Sequence, residues 1–163
     1  MTLNELKSVY SKPGRVESLL VRPARLEAVR TLEEAIAVRD VGLEGDHYQN
    51  YGGSRQVTLI QAEHLEVLAA LLGLSKILPE FTRRNIVVRH INLLSLKGKR
   101  FNIGNATLEY SGECHPCSRM EKSLGPGAYN AMRGHGGITA KVINSGIIKL
   151  GDFVTVAAVP GER

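Results

Sequence analysis

The chain has 163 residues, which corresponds to one domain that can bury a core of its own. Hydrophobic residues make up 43% and charged residues 23%, so a disordered chain is excluded. The 21 basic and 16 acidic residues give a net charge of +5, which favours anionic partners, whereas the 5% aromatic content without Trp argues against a surface that stacks nucleic-acid bases.

The predicted elements are mostly short strands separated by glycine and proline turns. After an N-terminal arm or short helix over residues 1–13, a single domain is expected over residues 14–159. Strands are predicted over Val16–Val21, 28–30, 35–38, Gln56–Gln61, Arg84–Arg89, around Leu93–Leu96, and over Arg100–Ile103, Ala106–Tyr110, Ile138–Ile143 and Asp152–Val159. Residues 32–38 have a helix as the alternative. The pattern favours a mainly β barrel with a few helices over alternating βαβ units.

The clearest helix is Ala62–Leu72, whose leucines recur at helical spacing and which a glycine ends. Its apolar stripe predicts core packing, with His64 on the solvated side. A shorter helix is predicted over Ser118–Leu124, where Ser118 and Glu121 have the spacing of a capping box.

No apolar run approaches the roughly 20 residues of a transmembrane helix, and the first ten residues lack the apolar centre of a signal peptide. We therefore expect a cytoplasmic protein without a membrane partner. A long glycine-rich loop over residues 41–53 contains Asp46, His47 and Tyr48, and loops of this length inside a domain are usually functional.

The segment GECHPCSRM, residues 112–120, contains the candidate nucleophile. Cys117 directly precedes the predicted helix, whose free N–H groups favour a thiolate, and His115 adds positive charge nearby. Such a thiolate is a nucleophile or a ligand for a soft metal. The alternatives are that Cys114 and Cys117 are ordinary thiols, a zinc site with His47 and His135 that no second CxxC supports, or a thioredoxin-like site, against which the short helix argues.

Two further segments are candidates for binding an anion. Six basic residues and no acidic one lie between Phe81 and Leu108, and Arg83, Arg84 and Asn85 begin a strand there; a solvated basic face is the alternative. The glycines of the segment MRGHGGI, residues 132–138, let the backbone approach a ligand closely; an ordinary hairpin turn is the alternative. It contains the candidate ligand contacts Arg133, His135 and Gly137.

Taken in chain order, these motifs resemble those of the MOSC domain, the C-terminal domain of molybdenum cofactor sulfurase. The ordered set, centred on Pro116-Cys117, carries the resemblance. The matching segments are VESLLVRP at 16–23, GLEGDH at 42–47, RQVTLI at 55–60, RRNIVV at 83–88, CHPCSRM at 114–120, RGHGGI at 133–138 and GD at 151–152, which together extend from about Gly14 to Val156.

The resemblance implies a twisted, mostly antiparallel β-barrel that binds the molybdenum cofactor, molybdopterin. Relatives include the amidoxime-reducing component of mitochondria and bacterial proteins that detoxify N-hydroxylated bases. The shared cysteine, which holds molybdenum or a persulfide sulfur, matches Cys117. The contacts to the cofactor's phosphate and pterin would come from Arg83, Arg84, Asn85, Arg133, His135 and Gly137, with secondary roles for Cys114, His115, Asp46 and His47.

The expected function therefore has three forms. The first is a molybdenum-dependent oxidoreductase that reduces N-hydroxylated or related small molecules. The second is a carrier of persulfide sulfur or of the cofactor, without turnover of its own. The third is an anion or nucleic-acid binding module. The sequence shows no pyridoxal-phosphate lysine site, flavin module or iron–sulfur module, so we expect a separate electron donor or cysteine desulfurase as partner.

Overall fold

The computed structural model describes residues 1–47 and 51–158 of the chain. Tyr48 and Val159, which the sequence analysis included in a loop and in the last strand, lie outside the described residues. Within the described part, no helix is both long and apolar enough to cross a membrane.

In the described residues, seven strands close into a barrel. Around the barrel they are β1 (Gly14–Val21), β6 (Ile86–Arg89), β5 (Val57–Gln61), β9 (Ile138–Asn144), β8 (Ala106–Glu113), β7 (Arg100–Ile103) and β11 (Phe153–Val156), and β11 pairs again with β1. The strand β2 (Arg30–Leu32) extends the sheet beside β1, and a second sheet has the order β10 (Gly146–Lys149), β3 (Glu34–Val38) and β4 (Gly42–Leu43). The predicted mainly β, mostly antiparallel barrel is confirmed.

Four short helices accompany the barrel in the described residues: α1 (Leu3–Leu6), α2 (Ala62–Leu72), α3 (Ser118–Leu124) and α4 (Ala128–Met132). The strands β5 and β6 are the parallel pair, because α2 crosses over between them. Their side chains alternate between two cores. Leu59 and Ile86 point into the barrel, whereas Ile60 and Val87 pack outside it against α2. This second core holds α2, α3 and α4 on one side of the barrel.

Most predicted strands are confirmed, but three local predictions are wrong. Leu93–Leu96 forms a 3₁₀ turn instead of a strand, because the side chain of Asn92 accepts a hydrogen bond from the N–H of Leu94 and the two outer leucines are buried. The helix alternative for residues 32–38 is wrong, since β3 lies there. The strand predicted over residues 28–30 lies instead at Arg30–Leu32, and β10, where no strand was predicted, pairs with β3 over its whole length.

The predicted capping box at the start of α3 is also wrong. Cys117 is the N-cap residue, and its side chain makes no capping hydrogen bond. The carboxylate of Glu121 instead accepts hydrogen bonds from the N–H groups of Gly127 (2.6 Å) and Tyr129 (3.0 Å). One side chain of α3 thus caps the first turn of α4, which fixes the two helices relative to each other.

Candidate functional site

A pocket of about 440 Å³ opens between two loops that follow β8 and precede β9. We call residues 113–117 the cysteine loop and residues 134–137 the glycine loop. The lining consists of Glu113, Cys114, His115 and Pro116 from the first, Gly134, Gly136 and Gly137 from the second, and Arg133 and Tyr129 beside them. A groove of similar volume near Arg89, at the far end of β6, has no cysteine or histidine in its lining.

The two loops touch through their backbones, as the pairing of β8 with β9 requires. The register places Glu113 opposite Ile138, and the N–H of Cys114 donates to the carbonyl of Gly137 at 2.8 Å. A side chain at Gly136 would collide with the carbonyl oxygen of Cys114, and one at Gly137, whose φ is +88°, would collide with that of Leu59. Both positions therefore need glycine because the backbones approach so closely.

The two cysteines, both free thiols, occupy different environments. Cys114 is 2% exposed and belongs to the pocket wall. Cys117 is exposed at the start of α3 and is not among the residues that line the pocket. His115, between them, is exposed and lines the pocket. The sequence analysis favoured Cys117 for the chemistry, and its role stays a prediction.

Arg84 lies behind both loops and is only 4% exposed. Its guanidinium donates hydrogen bonds to three backbone carbonyls: Nε to Gly136 (2.9 Å), Nη1 to Thr82 (3.1 Å) and Nη2 to Cys114 (3.4 Å). It therefore joins the cysteine loop to the glycine loop. It is not one of the residues that line the pocket.

The charge of Arg84 has no carboxylate partner among the described residues, where the ion pairs involve other arginines. Burial lowers the pKa of Arg84, the charges of Arg55 and Arg22 lower it further, and negative charge on Cys114 or Cys117 opposes this. A buried cation of this kind favours an anion nearby. The region behind the two loops therefore carries uncompensated positive charge.

Asn85 is fully buried and serves as a polar hub beneath the site. Its side-chain oxygen accepts hydrogen bonds from the backbone N–H of Thr58 (3.0 Å), from the Thr58 hydroxyl (3.2 Å) and from Nη2 of Arg22 (3.3 Å), and its amide donates to Leu20 (3.1 Å). Because its hydrogen-bonding groups are used in this way, Asn85 ties β1, β5 and β6 together.

Arg22 and Asp46 form a buried ion pair next to this hub. Nε of Arg22 donates to Oδ1 of Asp46 at 3.0 Å and Nη2 to Oδ2 at 2.8 Å, and both residues are at most 3% exposed. The next residue, His47, donates hydrogen bonds to the carbonyl of Arg22 from its backbone N–H and from its ring Nδ1. Arg22 is not predictable as a site residue from the sequence, because a single acidic residue in a loop does not indicate which arginine it binds.

Two further candidates, Arg83 and His135, are not among the residues that line the pocket. Arg83 has φ +56°, and its Nη1 donates to the carbonyl of Glu27. Nδ1 of His135 donates to the carbonyl of Ala131 (3.0 Å), and its ring packs edge-on against His64 with the centroids 5.0 Å apart. His64 is thus half-buried rather than on the solvated side of α2, and burial, followed by the charge of His135, lowers its pKa.

Among residues 1–47 and 51–158, no three side chains of the types His, Cys, Asp and Glu come together as metal ligands. The zinc alternative with Cys114, Cys117, His47 and His135 therefore has no geometric support. The site does combine features that suit a phosphorylated, thiol-ligated cofactor: a glycine cradle, a buried uncompensated cation, an exposed Arg133 and two free thiols.

The chain matches the model of the MOSC domain over residues 46–155 and belongs to that family. The fold is similar to that of the YuaD protein from Bacillus subtilis, with a TM-score of 0.76 and 21% identity over 88% of this chain and 94% of that one. It is also similar to YiiM from Geobacillus stearothermophilus, with a TM-score of 0.71 and 17% identity over 90% and 76% of the two chains. For YiiM from Escherichia coli the TM-score is 0.65 and the identity 19%, over 89% and 70%. No curated protein matches the chain.

Proposed function

We propose that this protein binds the molybdenum cofactor between the cysteine loop and the glycine loop and takes part in the reduction of N-hydroxylated small molecules. MOSC domains are linked to functions of that cofactor. The observation that carries the proposal is the pocket of about 440 Å³ whose walls are these two loops, with the unpaired charge of Arg84 behind them.

In this proposal each part of the site has a separate task. Arg133, exposed beside the pocket, binds the cofactor's phosphate through its planar guanidinium. Gly136 and Gly137 allow the ligand to approach the backbone. Cys117 supplies a thiolate to the metal, and Cys114 forms the wall beside it. The cofactor, when bound, would supply the two-electron redox chemistry that breaking an N–O bond requires.

A second protein completes the proposal. Reduction of an N-hydroxylated compound consumes two electrons and two protons and releases water, and we propose that a separate protein supplies the electrons. We expect the electron donor to dock beside the cysteine loop, near the exposed Gly127 and Tyr129 at the start of α4.

A carrier function is the second candidate, and the exposure of Cys117 favours it. A thiol that is accessible at the start of α3 and outside the pocket lining can reach the active site of a cysteine desulfurase. Its thiolate would attack the outer sulfur of a cysteine persulfide on the desulfurase and displace the desulfurase thiolate, and the persulfide formed on Cys117 would pass its outer sulfur to an acceptor thiol in the same way.

One experiment separates the two functions. The wild-type protein is purified from a host that makes the molybdenum cofactor, and molybdenum, pterin and cyanide-labile sulfur are measured per chain. Molybdenum and pterin at about one per chain support the first function, and labile sulfur on Cys117 without molybdenum supports the carrier. Protein that has neither, from a host whose other molybdenum enzymes are loaded, contradicts both.

A further inference from the structure

We propose that Arg84 is a positioning residue that holds the cysteine loop and the glycine loop in one fixed arrangement. The proposal rests on the proposed function in one respect only, namely that these two loops form the cofactor site. It gives Arg84 a task different from the direct phosphate contact that the sequence resemblance implied.

The contacts of Arg84 support this assignment. Its Nε and Nη2 donate to Gly136 and Cys114, one carbonyl in each loop, and Nη1 donates to Thr82 in the turn that precedes the arginine. In the chain the two loops are separated by α3 and α4. The loops contact each other through the hydrogen bond from the N–H of Cys114 to the carbonyl of Gly137. The guanidinium of Arg84 additionally joins both loops to the start of β6.

The chemistry of the side chain explains why an arginine is needed. A guanidinium presents its donors in a rigid plane, so that three carbonyls in different directions can be satisfied by one group. A lysine ammonium would keep the charge but cannot reproduce this fork. Leucine or methionine would fill the space and leave three carbonyls without their donors.

The cost of burying this charge indicates that its role is at the site. Arg84 has no carboxylate partner among the described residues, and Arg22 and Arg55 both disfavour its charge. Burying a charge that has no ion-pair partner costs desolvation free energy, and here only the hydrogen bonds to the three carbonyls offset it. By contrast, Arg89 at the other end of β6 pairs with two carboxylates at the surface, Glu17 and Glu66.

Backbone hydrogen exchange on metal-free protein tests the proposal with the variants Arg84→Lys and Arg84→Met. The matched control is Arg89→Lys, at the other end of β6. The reporter is the N–H of Cys114, which bonds Gly137, and the reference is the N–H of Val142, which bonds the side chain of Gln56 within β9. Alkylation of the buried Cys114 by iodoacetamide is measured in parallel.

We expect the exchange and alkylation of Cys114 to become at least about tenfold faster in Arg84→Lys, the effect of losing charge-assisted hydrogen bonds, and faster still in Arg84→Met. Exchange at Val142 should change less than about twofold, and Arg89→Lys should leave both sites within that range. If Arg84 only stabilised the fold as a whole, its replacement would accelerate exchange at Cys114 and at Val142 together.

Two results would overturn the proposal: an unchanged rate at Cys114 in Arg84→Lys, or equal acceleration at Cys114 and Val142. If Arg84→Met does not fold, Arg84→Lys decides, since it keeps the charge and nearly the length of the side chain. The proposed function fails separately, because its failure appears as wild-type protein without molybdenum and pterin and leaves the exchange pattern unaffected.

Discussion

Arg22 and Asp46 show what a buried charge requires at the scale of single residues. Each is almost completely buried, and each satisfies the other through two side-chain hydrogen bonds. Such a pair adds little to stability compared with an apolar pair of similar volume, but removal of one partner leaves an uncompensated charge in the interior.

We predict that Asp46→Ala lowers the free energy of unfolding by about 3–5 kcal/mol, because the buried Arg22 then loses the carboxylate that accepts two of its side-chain hydrogen bonds. Urea denaturation at neutral pH measures the loss. The control is Glu109→Ala, which removes the exposed pair with Arg100 and should cost less than about 1 kcal/mol. Similar losses in the two variants would contradict the importance of the buried pair.

The two cysteines give the second prediction at this scale. We expect Cys117→Ser to abolish the binding of molybdenum or of persulfide sulfur, because a hydroxyl is neither a soft ligand nor a sulfur acceptor. Cys114→Ser should retain a substantial part, since its side chain belongs to the wall. Metal analysis and cyanide-labile sulfur, measured on both folded variants, provide the test. Full retention in Cys117→Ser, or equal loss in both variants, would contradict the assignment of the essential thiol to Cys117.

At the scale of elements, α3 and α4 are joined by one carboxylate. Glu121 accepts hydrogen bonds from the N–H groups of Tyr129 and Gly127, and these bonds lower the pKa of Glu121. Since Tyr129 lines the pocket, this cap also holds one side of the site in place.

The lowered pKa of Glu121 predicts how stability depends on pH. A carboxyl group with a lowered pKa in the folded state stabilises the fold above its unfolded pKa of about 4.3, and this contribution is lost as the pH falls through the folded pKa. Glu121→Gln should therefore have a lower Tm than the wild type at pH 7, and the difference should shrink below about pH 4. The control Glu44→Gln, at an exposed carboxylate, should show no such trend. A difference independent of pH would contradict this role.

The sequence predicts elements well where the pattern is local. The strand β5 and the helix α2 have nearly their predicted bounds, because alternation and helical spacing are properties of neighbouring residues. The errors at β10 and at Leu93–Leu96 have different causes. The strand β10 forms because β3, which is distant in the chain, pairs with it. The apolar run at Leu93–Leu96 suits a 3₁₀ turn that buries both outer leucines, and the side chain of Asn92 caps that turn.

The candidate site was predictable in part for the same reason. The cysteine and glycine segments are visible as motifs, but that they form one pocket depends on the register that places Glu113 opposite Ile138. A run of basic residues predicts a surface, whereas Arg84 turns inward after Arg83, which has a left-handed backbone, φ +56°. Neither fact can be deduced from neighbouring residues.

For the whole molecule, the net charge of +5 bears on the proposed partner. We predict that the rate of electron or sulfur transfer from the partner falls several-fold between about 50 and 300 mM salt, because an acidic partner is steered by charge that salt screens. Lys122→Glu, in exposed α3, should slow the transfer, and Lys76→Glu, in the groove near Arg89, should not.

Transfer rates measured with a reductase or desulfurase from the same cell provide this test. A rate that neither salt nor Lys122→Glu changes would contradict an electrostatic encounter. Turnover of an N-hydroxylated compound by the purified protein alone, with a nicotinamide cofactor, would contradict the need for a partner.

The barrel closes where its first and last strands pair, with Gly14 opposite Val154. On the ribosome, β1 is made first and must wait for β11, so the ring cannot form until nearly all of the described chain has emerged. Until then, the Gly14–Arg15 end of β1 and one side of β7 are free edges that can pair with another nascent chain. Closure also joins residues far apart in sequence, which slows folding. Newly made protein therefore passes through a period in which its open strand edges expose it to aggregation.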